Sequence, residues 1–148
     1  MWTADTVLVC ALTLLGRSQQ SFPPIEFVAA APPGALRGTE AFTRQDDRHI
    51  YIVTSTSLFQ RLQLKRERCG DLDAVRKLAS VLVHEEAHVV RGATEADAYA
   101  AQLTTLASLG AGLGTPVYAE VRRSMLQVLR QRRGRPLQLA ASTGTAAR

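Results

Sequence analysis

Residues 71–98 read DLDAVRKLASVLVHEEAHVVRGATEADA. Leu72, Val75, Leu78, Ala79, Leu82 and Val83 recur three and four residues apart, the period of a helix with one apolar face. Asp71 or Asp73 can cap its start, because a short acceptor side chain satisfies open backbone N–H groups of the first turn. Gly92 is placed to end it, since glycine enters the left-handed conformation that closes a helix without a Cβ penalty. Thr94 can then cap a second helix through about Leu109. The stretch is therefore a helix, a tight reversal and another helix.

Upstream the pattern changes. Ala41 to Thr43 and His49 to Thr54 are rich in β-branched and aromatic residues and flank an Asp46-Asp47 turn, which predicts a hairpin. Ile25 to Val28 follows Phe22-Pro23-Pro24 and reads as extended, because proline stops a helix and pushes its neighbour out of the helical region. A first helix is expected to about Leu15, capped by Thr3 or Asp5 and ended by Gly16, and a short one from about Ser55 to Arg66. Downstream, Gly110 to Gly114 breaks the chain, Thr115-Pro116 starts a last helix and Gly134-Arg135-Pro136 should stop it. The expected fold is α+β: a small antiparallel or mixed sheet, then a central helix and C-terminal helices. One domain should span residues 1–138, with 139–148 a flexible tail of small residues.

Of the 148 residues, 46% are hydrophobic and 21% charged, ordinary globular usage that argues against a disordered, collagen-like or coiled-coil chain. The net charge of +5 divides unevenly. Residues 1–120 hold eleven cations and all thirteen acids, whereas 121–148 hold seven arginines and no acid. The basicity belongs to the last helix and its exit. Without interleaved aromatics or a reading motif, a solvated helix is the better account and nucleic acid is disfavoured as a partner. Cys10 and Cys69 form no C-x-x-C spacing, so a zinc ribbon and a disulfide-rich scaffold lack support. Val7 to Leu15 is too short to span a bilayer, which takes about 20 residues. Residues 1–20 are thus a buried helix or, alternatively, a targeting segment, although no Lys or Arg precedes the apolar run. Localisation follows that alternative: cytoplasmic in the first case, secreted or envelope-associated in the second.

The chemistry concentrates in His84-Glu85-Glu86-Ala87-His88. Residues four apart on a helix stand one turn above each other, so both imidazoles can face one ion. Two neutral imidazoles suit Zn2+, and a site with a fourth position open to water is catalytic. Glu85 sits about 100° round the helix from His84, where a general base belongs. The plainer origin is a chance pair of solvent-facing histidines. Val81, Leu82, Val83, Val89 and Val90 around them argue for burial, and a buried histidine pair needs a shared partner. Glu95, delivered by the reversal at Arg91 to Thr94, is the candidate third ligand, with Asp97 as the alternative. Either acid would also favour any helix N-terminus.

His84-Glu85-Glu86-Ala87-His88 followed by Glu95-Ala96-Asp97-Ala98 resembles the H-E-x-x-H and E-x-x-A elements of the gluzincin metallopeptidases. The resemblance is close over residues 84–98 and looser from His49 to Leu109. It implies a zincin-like fold in which His84, His88 and Glu95 bind zinc, Glu85 activates zinc-bound water for peptide-bond hydrolysis, and the His49–Thr54 strand is a substrate edge. The chain departs from thermolysin-like members in its shorter gap from His88 to Glu95. It also places Tyr99 where many members have an acid that orients a histidine, and it lacks a large second domain. Tyr51, Tyr99, Tyr118, His49 and Arg91 are the groups whose chemistry suits a second stabiliser of the oxyanion. Peptides or proteins are the implied substrates, and the alternative is a non-catalytic binding or regulatory module on the same fold. Contact of the basic last helix with anionic lipid would follow only from a membrane-anchored N-terminus.

Overall fold

A computed structural model describes the backbone of residues 1–145 and the side chains of residues 1–133. Helix α1 (Ala4–Leu15) starts at Thr3, whose hydroxyl accepts from Thr6 N–H, and ends at Gly16 with φ 66°. Strands β1 (Ile25–Val28), β2 (Ala41–Thr43) and β3 (Ile50–Val53) follow, then α2 (Ser57–Leu64). The long helix α3 (Leu72–Arg91) is capped by Asp71, and α4 (Glu95–Ser108) and α5 (Pro116–Thr145) complete the described chain. Among the described residues the architecture is α+β, five helices with one three-stranded mixed sheet. No described helix is long and apolar enough to cross a membrane.

The strand order is β1-β3-β2, with β1 parallel and β2 antiparallel to β3. All four β3 residues are buried, as expected of a strand paired on both sides. The His49–Thr54 strand is therefore not an edge. The His-Ile-Tyr-Ile-Val run is apolar because it is central, and the free edge beside α3 belongs to β2. Val53 N–H donates to the Glu40 carbonyl, and antiparallel pairs alternate in bonding, so Phe42 pairs inward with Tyr51. The N–H and C=O groups of Ala41 and Thr43 then point away from the sheet.

The main core joins Val7, Leu8 and Ala11 of α1, Ile50 and Ile52 of β3, Phe59 of α2 and Leu78 and Leu82 of α3. The N-terminal helix is thus part of the core. Cys10 and Cys69 are joined by a disulfide with 5.5 Å between their Cα atoms, tying α1 to the turn before α3. Spacing alone did not suggest that bridge. A smaller core of Leu106, Ala111, Val117 and Val121 seats α5 against α4. The expected stop at Gly134-Arg135-Pro136 does not hold, since α5 runs to Thr145. Proline and glycine weaken a helix interior without forbidding it, and the Arg, Gln, Leu and Ala around them are good helix formers. The tail expected over 139–148 lies partly outside the described residues.

Candidate metal centre

The C-terminus of α3 sets the site. Gly92 takes φ 60°, its N–H bonds the His88 carbonyl at 3.1 Å, and Ala93 N–H bonds the Ala87 carbonyl at 3.1 Å. This paired closure reverses the chain within two residues. The reversal aims the Ala93 carbonyl at His88 Nδ1, 2.8 Å away. Thr94 then caps α4 by accepting from Asp97 N–H, which makes Glu95 the first residue of that helix. Ala98, fully buried, lets α4 lie close along α3.

His84, His88 and Glu95 converge, with one candidate ligand atom from each lying within 4.8 Å of the others. His88 Nε2 is 3.2 Å from His84 Nε2 and 2.6 Å from Glu95 Oε1, while His84 Nε2 is 3.8 Å from Glu95 Oε2. The ring tautomers follow from the outer partners. The Ala93 carbonyl can only accept, so His88 Nδ1 carries a proton. Ser80 Oγ–H donates to the Lys77 carbonyl and accepts from Gln102 Nε2, which turns Gln102 Oε1 toward His84 Nδ1 at 2.9 Å. That nitrogen also donates. With both Nδ1 atoms held by outer partners, the two Nε2 atoms face each other and a carboxylate, the donor arrangement of a metal-binding His-His-Glu set. This buried His-His-Glu set can hold a metal ion.

The hydrogen bond to Glu95, against the opposing effect of burial, raises the His88 pKa, helped by Ala93. Burial would raise the Glu95 carboxyl, but hydrogen bonds from His84 and His88 hold it far below the carboxylate range. Burial pushes the Glu85 carboxyl up, with charge on His84 and His88 pulling it back and Glu95 adding to the rise. Glu85 lines the same cavity of about 630 Å3 as the three candidate ligands.

Asp97 is exposed and its N–H serves the cap, so Glu95 and not Asp97 is the acid that faces the histidines. Of the five candidate helpers only Tyr99 lines the cavity. Its ring stands edge-on to His84 with centroids 4.5 Å apart, and burial, assisted by Glu95 and Glu85, pushes its hydroxyl up to about 12. Tyr51 bonds Asp47, His49 pairs with Glu26 at 3.4 Å, Tyr118 packs on the smaller core and Arg91 is exposed. They lie elsewhere because β3 is central and because Arg91 ends its helix facing solvent.

Sequence reading missed three groups. Gln102 falls seven residues after Glu95, two turns along the same face of α4, a spacing that places it on that face but does not mark it as the partner of His84. Arg17 locks Glu86 in a two-pronged pair at 2.7 and 2.5 Å, anchoring the helix from the side opposite the site. Lys77 lies between Glu40 and Glu120 at 2.6 Å from each, joining the segment before β2, α3 and α5. Neither pairing has a local signature. No family model, curated protein or solved structure matches this chain.

Proposed function

We propose that this chain is a zinc-dependent metallopeptidase of zincin-like fold, with His84, His88 and Glu95 holding the ion and Glu85 as general base. The observation that carries the reading is the pair of inward-facing Nε2 atoms, each ring fixed through its Nδ1, met by a carboxylate. Tetrahedral zinc with bonds of about 2.0–2.1 Å separates its ligand atoms by roughly 3.3 Å, and the two Nε2 atoms stand 3.2 Å apart. Two histidines and one carboxylate leave a coordination position for a reactant, as catalytic zinc sites do. When bound, the ion would supply Lewis-acid polarisation of a carbonyl and a lowered pKa for water.

The chain's own groups supply the rest. Glu85, buried beside the ligands, takes a proton from the attacking water and returns it to the leaving nitrogen. Tyr99 keeps its proton across the neutral range and can donate to a developing oxyanion. The outward groups of Ala41 and Thr43 on β2 can align an extended peptide by strand addition.

The test is to purify the chain with zinc, count the metal and follow a mixed peptide library by mass spectrometry. The expected result is about one zinc per chain, lost on His84→Ala, and peptide cleavage that falls by about 10²–10⁴-fold in Glu85→Gln with zinc retained. Zinc binding without cleavage, unchanged by Glu85→Gln, would instead mark a binding module. A folded chain that takes up no zinc rejects both.

A further inference from the structure

The cavity over the histidines is bounded on one side by β2 and the loop before it, and on the other by one face of α5. From α5, Gln127, Val128, Gln131 and Arg132 reach the space. The acids inside are already engaged or shielded: Glu95 holds His88 at 2.6 Å, Glu40 holds Lys77 at 2.6 Å, and Glu85 is buried. The cations at the rim are different. Arg37 from the β1–β2 loop and Arg132 from α5 both line the cavity and are exposed. Arg132 Nη2 reaches Glu95 only across 3.9 Å, with 64% of its side chain accessible, a contact too long and too wet to hold it firmly. The mouth of the cleft thus offers positive charge while the negative charge is committed inside, which focuses anions toward the site.

We propose that Arg132 recognises a carboxylate on the substrate next to the reacting bond, making the cleft selective for acidic peptides; this rests on the peptidase reading above. A guanidinium offers a planar fork that matches a carboxylate with two parallel hydrogen bonds. Its place fits a neighbouring group better than the reacting carbonyl. Oxyanion stabilisation needs donors fixed in advance, whereas Arg132 is long, solvated and unanchored. Residues along a chain step by 3.8 Å, so a group one residue from the bond at the ligands falls within a guanidinium's reach of Glu95. Gln127 and Gln131 on the same wall can bond the adjoining backbone. The carboxylate can be a free C-terminus or an Asp or Glu side chain.

The experiment uses the zinc-loaded Glu85→Gln chain, which should bind peptides without cutting them, and matched fluorescent alanine-based peptides. One arm compares a C-terminal acid with its amide, and the other compares Glu with Gln at each internal position. Fluorescence anisotropy should show at least about tenfold tighter binding of the acidic member in one arm, and that arm names the source. Arg132→Ala and Arg132→Gln should abolish the preference. Arg130→Ala, an equal charge loss on the same helix outside the cavity, should keep it. Equal binding of acidic and neutral members, no binding of any peptide, or a preference that survives Arg132→Ala or vanishes equally in Arg130→Ala would overturn the proposal. Wild-type turnover of the library, measured separately, reports on the peptidase reading: an Arg132-dependent preference without turnover would reject catalysis and retain the carboxylate site.

Discussion

Gln102 joins Ser80 to His84 in a buried relay, its amide nitrogen on the hydroxyl and its carbonyl on the ring. That relay holds His84 in the tautomer whose Nε2 faces Glu95 and His88. Gln102→Leu keeps the volume and apolar packing of α4 on α3 but frees the ring to turn or change tautomer. Zinc affinity should then fall by about 10–100-fold, the usual effect of losing a partner that orients a ligand. Competition with a chelator of known affinity checks this, and an unchanged affinity would show that His88 and Glu95 position the ion without help. His84 and His88 were readable as a pair because four residues on a helix is a fixed geometric step. Gln102 was not, since nothing local distinguishes a glutamine that faces a ring from one that faces water.

Helix ends show the same division at the next scale. Asp71, Gly92 and Thr94 each act on groups within six residues, so capping chemistry placed the ends of α3 and the start of α4 from sequence. Asp71 accepts from Ala74 N–H at 3.1 Å and from Arg61 at 2.7 Å. Burial opposes its charge, but those bonds and the Arg61 charge hold its carboxyl below the usual value. A depressed carboxylate binds its proton more readily in the unfolded chain, so its stabilisation is present in full above the unfolded value near pH 4 and fades as pH falls through the folded value. Asp71→Ala should cost about 1 kcal/mol at pH 7, with the difference from wild type shrinking below pH 4. Urea unfolding at pH 7 and pH 3 measures both. A difference that holds constant across that range would assign the effect to helix propensity in place of the charged cap. The end of α5 and the identity of the edge strand were misjudged for a related reason. Gly134 and Pro136 bear on a helix only by local penalties, and the rank of a strand within its sheet depends on a partner far away in the chain.

Across the whole molecule, the bond between Cys10 and Cys69 closes a loop of 59 residues that holds the end of α1, the sheet and α2. In the chain-entropy account, closing a loop of that length stabilises the folded chain by about 4 kcal/mol. Reduction, or Cys10→Ser with Cys69→Ser, should lower thermal stability by about 2–4 kcal/mol. The zinc stoichiometry should stay unchanged below the new midpoint, because the proposed ligands sit on α3 and α4 outside the loop. Calorimetry with metal analysis checks both. Loss of zinc from the reduced but folded chain would mean that α1 positions the centre through the Arg17–Glu86 pair.

Periodicity and capping act over a few residues, and for that reason the amino-acid order alone specified the helices, the ends of α3 and the start of α4, the H-E-x-x-H pair and Glu95 as a candidate third ligand. Which strand lies at the edge, which tyrosine enters the cavity, that Lys77 bridges two acids and that Arg132 overlooks the candidate ligands all depend on contacts between segments about 15 to 43 residues apart. Such contacts arise from packing a buried core, where many side chains compete for the same space, and no short stretch records the outcome.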